Sequence, residues 1–134
     1  MIAVDTNIIC YRWMHSNQSA PVDQVLLKDP DWIAPLLWRS EFRNVLAGAM
    51  RNRRISPDNA IDILERAEAS MLGREFLVSS RTILRLVQSS RCSAYDCEFV
   101  ALAEEQGISL LTADLQILRT FPKLTVSLEN FVRR

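Results

Sequence analysis

The sequence predicts an α/β protein with a mostly parallel sheet of about five short strands, covered by helices on both faces. Three observations predict it. Short apolar runs alternate with helical patterns along the chain. Those runs are apolar throughout, as strands buried on both faces are. The chain has 134 residues, 49% of them hydrophobic, which suits one domain over residues 1–134 and supplies a sizeable core. Glycine and proline are sparse, and neither a repeat nor a low-complexity stretch is present.

Met1 to Val4 is read as a buried strand closing on Asp5. Residues 6 to 16 follow as a helix apolar nearly all round, through Ile8, Ile9, Tyr11, Trp13 and Met14. Residues 20 to 28 make a second helix with Val22, Val25 and Leu26 on one face. Asp29-Pro30-Asp31 is a turn. Trp32 to Ala34 is a brief strand stopped by Pro35. Residues 36 to 52 form a long helix, with Trp38, Phe42, Val45, Leu46 and Ala49 on one side at 3.6-residue spacing. Ser56-Pro57 opens the next helix, Ser as N-cap and Pro at the first helical position. It carries Ile61, Leu64 and Ala67 and fades near Gly73.

Phe76 to Val78 is the third strand, and residues 80 to 89 the next helix. Ser93 opens a helix running to Gln106, with Gly107 placed to close it. Ile108 to Leu111 is a strand ending at Thr112-Ala113-Asp114. A short helix reaches Phe121 and stops at Pro122. Leu124 to Leu128 is the fifth strand. Parallel sheets bind ligands beyond the carboxyl ends of their strands, and Asp5 and Asp114 stand at two such ends.

Composition narrows the function classes. Cys10, Cys92 and Cys97 are an odd set with no zinc spacing, so free thiols in a reducing compartment are expected. No apolar run approaches the ~18 residues of a membrane span. Asp5 interrupts the first apolar run, and no basic leader precedes it, so no signal peptide is expected. A soluble cytoplasmic protein follows as the expectation. Sixteen basic and sixteen acidic residues cancel, which argues mildly against a free nucleic-acid binder. Their distribution softens that objection. Arg39, Arg43, Arg51, Arg53 and Arg54 crowd one stretch, and Arg133 and Arg134 end the sequence. If acidic groups gather at one site, the remaining surface is net basic.

Four carboxylates are the candidates for chemistry, and each has a plainer role. Asp5 and Asp114 follow strands and open helices, where aspartate is a good N-cap. Glu41 flanks the apolar arc of its helix, about 40° from Val45, where an ordinary boundary glutamate also sits. Asp96 occupies the acid position of the capping-box pattern Ser93-Ala94-Tyr95-Asp96, although Glu or Gln usually fills it. Their arrangement carries more than any one of them. Two end parallel strands, and two lie on helices able to pack over the same edge. Clustered carboxylates repel and are costly to bury. A divalent cation with a preference for oxygen, Mg²⁺ or Mn²⁺, resolves that conflict.

Val4-Asp5-Thr6-Asn7-Ile8 resembles the opening strand motif of PIN domains. Ser40-Glu41-Phe42-Arg43-Asn44-Val45-Leu46 resembles their second acidic motif. Ser93-Ala94-Tyr95-Asp96-Cys97, followed by Ala101-Leu102-Ala103-Glu104, is similar to the third, and Leu111-Thr112-Ala113-Asp114 to the fourth. The four stand in order over nearly the whole chain. Among PIN proteins the chain looks most like the toxin subunits of VapBC-type toxin–antitoxin pairs. The resemblance implies a three-layer α/β/α sandwich, Mg²⁺- or Mn²⁺-dependent cleavage of RNA, homodimers, and an antitoxin partner that blocks the site.

On that basis Asp5, Asp96 and Asp114 are expected to hold one or two cations. Glu41 completes the cage or positions a water, which attacks phosphorus in line and leaves a 5′-phosphate and a 3′-hydroxyl. Thr6 and Thr112 stand where they orient those ligands from behind, with turn or cap chemistry as the plainer role. The sequence does not identify the residues that grip RNA.

His15 is the only histidine and is read as a surface residue, which argues against a histidine acid–base ribonuclease. Trp13, Trp32 and Trp38 suit core or interface better than base stacking, and Arg51, Arg53 and Arg54 suit a solvated helix end, with a grip on RNA phosphate as the sharper alternative. An aspartyl-phosphate phosphatase on Asp5 wants an aspartate where Asn7 stands. A PIN-like module that binds RNA or protein without cutting is the rival from a different class.

Overall fold

The structure is a computed structural model and describes all residues, Met1–Arg134. In chain order the elements are β1 (Ile2–Val4), α1 (Thr6–Trp13), α2 (Ser19–Lys28), β2 (Trp32–Pro35), α3 (Leu37–Arg51), α4 (Pro57–Ser70), β3 (Glu75–Phe76), α5 (Ser80–Gln88), α6 (Ala94–Gln106), β4 (Leu110–Leu111), α7 (Leu115–Thr120), β5 (Thr125–Val126) and α8 (Leu128–Arg133). The five strands form one sheet in the order β3-β2-β1-β4-β5. Every pairing is parallel. Ala3 lies between Ile33 of β2 and Leu110 of β4.

The chain builds outward from β1 through β2 to β3, then returns to the other side of β1 for β4 and β5. Right-handed crossovers therefore place α1 to α4 on one face and α5 to α7 on the other. The packing agrees. Helix α1 lies against α2, α3 and α4, while α6 lies against β1, β2, β4 and α5. The result is the three-layer α/β/α sandwich. Strand order reverses between β1 and β4, so the chain diverges there and leaves a crevice at their carboxyl ends.

A cluster of 30 buried hydrophobic residues fills both interlayer spaces. Helix α6 buries Cys97 and Phe99 to Ala103, nearly its whole circumference, as a helix crossing the centre of a sheet must. Side chains of Ser56, Ser79 and Ser93 cap α4, α5 and α6. Gly107 closes α6 at φ 66°, in the left-handed region that glycine enters without strain.

The structure departs from the sequence-based expectation at several ends. Helix α1 stops at Trp13, because Met14 turns to extended backbone while its N–H still bonds the Cys10 carbonyl. Pro35 belongs to β2 instead of stopping it. The amides of Ala34 and Leu36 donate to the Arg74 and Phe76 carbonyls on the β3 side, so the Pro35 nitrogen faces the β1 side, beyond the last paired residue there. Strand β3 starts at Glu75, a charged residue that the apolar criterion passes over. Its carboxylate is paired with Arg39 and accepts from Trp38 Nε1 at 2.8 Å.

Strands β4 and β5 are two residues each, and α8 begins where β5 was expected to end. Helix α8 is six residues long, too short to show a period. Ser127 caps its start, and Lys28 Nζ donates to the Phe131 and Arg134 carbonyls at its end.

Phe99 is buried where α6 crosses the sheet. Phe99→Ala should lower unfolding stability by roughly 3–5 kcal/mol. Urea denaturation followed by circular dichroism checks this. A loss below about 1 kcal/mol would mean that the α6 layer repacks freely.

Candidate active site

Three polar residues in the whole chain are buried: Asp5, Thr6 and Thr112. All three lie at the crevice between β1 and β4. Burying a charge is costly unless hydrogen bonds compensate it, and the chain places those bonds locally. Asp5 ends β1, and its backbone N–H is held by the Leu111 carbonyl of β4 at 3.0 Å. That bond brings the residues after the two strands together. Thr112 Oγ1 then donates to Asp5 Oδ2 at 2.7 Å. The other oxygen, Oδ1, accepts from the Thr6 backbone N–H at 2.8 Å, so Asp5 also caps α1.

Asn7 ties the two strand ends across the crevice. Its Nδ2 donates to Asp5 Oδ2 at 3.3 Å. Its Oδ1 accepts from the Ala113 backbone N–H at 3.2 Å. Thr112 Oγ1 also accepts from the Asp114 backbone N–H at 3.0 Å, while Asp114 Oδ1 caps α7 by accepting from the Ile117 N–H at 3.1 Å. On the opposite wall, Thr6 Oγ1 donates to Glu41 Oε1 at 2.6 Å. Helix α3 carries Glu41 half-buried, one turn before Val45. Val45 was expected in the core but stands exposed at the cleft instead. It shares Glu41's face, and that face looks into the crevice.

Asp96 stands in the first turn of α6. Its backbone N–H bonds the Ser93 hydroxyl at 3.1 Å. Its carboxylate makes no return bond, so only half of a capping box forms and the charge remains available. Asp5, Glu41, Asp96 and Asp114 all line one cleft of about 470 Å³. Thr6, Asn7, Cys10, Tyr11 and Asn44 line it too. Asn7, Cys10, Tyr11 and Asn44 were not among the residues expected at the site. A signal was present for Asn7, a polar amide beside Ile8 and Ile9. Asn44 shares Glu41's helix border in the sequence pattern, without being counted among the site residues.

The electrostatics follow from this geometry. Burial pushes the Asp5 carboxyl above its ordinary value. The Thr112 and Thr6 hydrogen bonds pull it back in part, and the negative Asp96 and Asp114 push it up again. Glu41 is raised by burial first, is lowered by the Thr6 bond, and is raised by Asp5, Asp96 and Glu98. Cys10 reports the same field: burial, then Asp5 and Glu41, push its thiol up to about 12. The thiol therefore stays protonated at neutral pH and is a poor nucleophile.

The donor set is all oxygen, and its members repel one another, which is the chemistry that Mg²⁺ or Mn²⁺ suits. No group of three acidic, His or Cys side chains is arranged to hold an ion in this structure.

Two predictions follow from these contacts. Thr112→Val deprives Asp5 of a donor and the Asp114 N–H of its acceptor. It should cost roughly 1–3 kcal/mol of stability, whereas Thr112→Ser retains most of it. Chemical denaturation of both variants checks this, and equal losses would show that the methyl group matters more than the hydroxyl. The second concerns pH. A carboxyl raised in the folded state ionises more readily unfolded, so metal-free stability falls as pH climbs from about 4, the ordinary value, through the folded value. Asp5→Asn should therefore be more stable than the parent at pH 7 in EDTA, with the advantage gone near pH 3. Mn²⁺ should raise the melting temperature of the parent more than that of the variant. Equal melting temperatures at pH 7 would show that the Asp5 charge is fully compensated by its hydrogen bonds.

With the geometry in place, likeness to known proteins can be read against it. The family model described as PIN domain matches residues 2–122. No curated protein matches at a significant level. Among solved structures, the fold is similar to PAE2754 from Pyrobaculum aerophilum, with a TM-score of 0.78 at 20% identity over 99% of this chain and 94% of that one. It is similar to FitAcB from Neisseria gonorrhoeae, with a TM-score of 0.76 at 17% identity over 96% of this chain and 99% of that one. It is also similar to FitAB bound to an IR36 DNA fragment, with a TM-score of 0.73 at 17% identity over 96% and 95%. Identities this low speak for the fold alone. The family match spans nearly the whole chain and includes all four acidic positions, and on it the chain belongs to the PIN-domain family.

Proposed function

We propose that this protein is a Mg²⁺- or Mn²⁺-dependent endoribonuclease and the toxin component of a type II toxin–antitoxin system. The observation that carries the catalytic reading is Asp5, a buried carboxylate held by Thr112 and Thr6 in a cleft that Glu41, Asp96 and Asp114 also line. Membership of the PIN family supports a nuclease, since hydrolysis of phosphodiesters is the chemistry the family resemblance implies. The likeness of fold to FitAcB, and to FitAB, which is bound to an IR36 DNA fragment, is consistent with a partnered protein of this kind.

In this reading Asp5, Asp96 and Asp114 hold the cation, and Glu41 completes the site or positions a water. When bound, the cation lowers the pKa of a water and offsets charge developing on the phosphate. Thr112 fixes the rotamer of Asp5, and Thr6 fixes that of Glu41. Asn7 keeps the two strand ends at a constant separation. No side chain need act as nucleophile. The products are a 5′-phosphate and a 3′-hydroxyl. The working state is a cytoplasmic homodimer, inhibited by an antitoxin that covers the cleft. A PIN fold that binds RNA or protein without cutting is the alternative.

The test is cleavage of a mixed tRNA and ribosomal RNA pool by protein purified free of partner, with Mg²⁺, Mn²⁺ or EDTA. Asp5→Asn and Asp96→Asn, purified identically, control for contaminating nucleases. Discrete cuts are expected that need metal and disappear in both variants, with Thr112→Val slowed by roughly 10- to 100-fold. Cleavage that survives EDTA, or that both variants retain, would sink the four-carboxylate mechanism. Absence of both cleavage and Mn²⁺ binding would favour the non-catalytic alternative.

A further inference from the structure

Of the ten aromatic residues in the chain, Tyr95 alone is among the exposed large side chains, at 66%. A single exposed ring is ordinary on a protein surface, and what sets Tyr95 apart is its position. Tyr95 does not stand on an isolated patch. It lines a groove of about 250 Å³ between the start of α6 and α3, with Leu37, Ser40, Glu41 and Asn44. Glu41 and Asn44 line the carboxylate cleft as well, so the groove continues that cleft. Tyr95 directly precedes Asp96 in the first turn of α6, where successive side chains point about 100° apart. Asp96 therefore faces the cleft while Tyr95 faces the groove beside it.

The lining has a distinctive chemistry. Tyr95 offers a ring face and Leu37 an aliphatic wall. The Asn44 amide and the Ser40 hydroxyl make no hydrogen bond within the fold, although both are exposed to the groove. An amide that both donates and accepts matches the edge of a nucleobase. No basic residue lines the groove, and Glu41 borders it, so a phosphate is disfavoured there and a neutral ring is not. The volume lies just below the ~300 Å³ at which small-molecule pockets begin, which suits one flat ring.

We propose that Tyr95, with Asn44 and Ser40, forms a subsite that stacks and reads one unpaired nucleobase of the RNA strand, next to the phosphate held over the carboxylates. The inference rests on the endoribonuclease reading and assigns the residues that position a base beside the cut. A base paired within a duplex has no free edge or face to give to the groove. Stacking on an aromatic ring tolerates any base, and the amide edge of Asn44 supplies preference among them. Tyr95 is a substrate-positioning residue, since it touches the base and not the reacting phosphate.

The experiment uses the parent protein with Tyr95→Phe, Tyr95→Ala and Asn44→Ala. Each is measured with Mn²⁺ on an unstructured oligoribonucleotide carrying 2-aminopurine beside the cut, and on the same strand annealed to its complement. Mn²⁺ binding by calorimetry checks that each variant keeps the carboxylate site. Tyr95→Ala should raise KM on the single strand roughly tenfold or more with a smaller change in kcat, and should restore the 2-aminopurine fluorescence that stacking quenches. Tyr95→Phe should behave as the parent, because the ring and not the hydroxyl makes the stack. Asn44→Ala should change the preference among bases at that position. Cleavage of the duplex should be poor and indifferent to Tyr95.

Cleavage by the parent with unchanged KM and fluorescence in Tyr95→Ala would overturn the subsite and leave the nuclease reading standing. Equal losses in Tyr95→Phe and Tyr95→Ala would overturn stacking in favour of a hydroxyl contact. A parent that neither binds nor cuts the single strand would overturn the nuclease reading and the subsite with it.

Discussion

The site depends on one buried charge. Asp5 is only 8% exposed, yet it sits among other carboxylates that raise the cost of its ionisation. An uncompensated charge in that place would destabilise a domain whose net stability is only about 5–15 kcal/mol. The compensation comes from short-range donors placed by the backbone: the Thr6 N–H at the first turn of α1 and the Thr112 hydroxyl at the end of β4. Neither donor is itself a charge. The hydrogen bonds therefore hold the carboxylate in place without neutralising it, and its negative field remains for a cation.

That arrangement is a consequence of sheet order. Strands β1 and β4 are neighbours in space but more than a hundred residues apart in sequence, and the chain leaves them toward opposite faces. Where the two directions diverge, no helix covers the carboxyl ends. Helix α3, from one layer, brings Glu41 to the crevice. The start of α6, from the other layer, brings Asp96. The four carboxylates of the cleft are thus drawn from both helical layers and from the sheet between them.

The plainer roles of these residues are not rivals to the site but part of it. Asp5 and Asp114 are helix caps in the structure, and Ser93 caps α6. A capping aspartate accepts N–H bonds at a helix N-terminus. A carboxylate held that way has lost its rotamer freedom in advance. Asp96 is the exception. It leaves the capping to Ser93 and keeps its own carboxylate without a hydrogen bond, so the first turn of α6 stays ordered while the charge is available.

By itself, the sequence determined the layered architecture, because a run of short apolar strands alternating with helices can bury its strands only between two helical layers. It also determined which acids stand at strand ends and helix starts, since those positions follow from local periodicity around Asp5, Asp96 and Asp114. Tertiary structure alone decided which way Glu41 and Val45 face, that Asn7 bridges the two strand ends, and that Tyr95 lies over a groove continuous with the cleft. It also decided α8, whose six residues are held by Lys28 from α2 and carry too little periodicity to be read. The physical reason is the same in each case. A helical period says that two residues share a face, but what that face meets is set by contacts between residues far apart in the chain, such as the bonds joining Asp5 to Leu111 and Thr112.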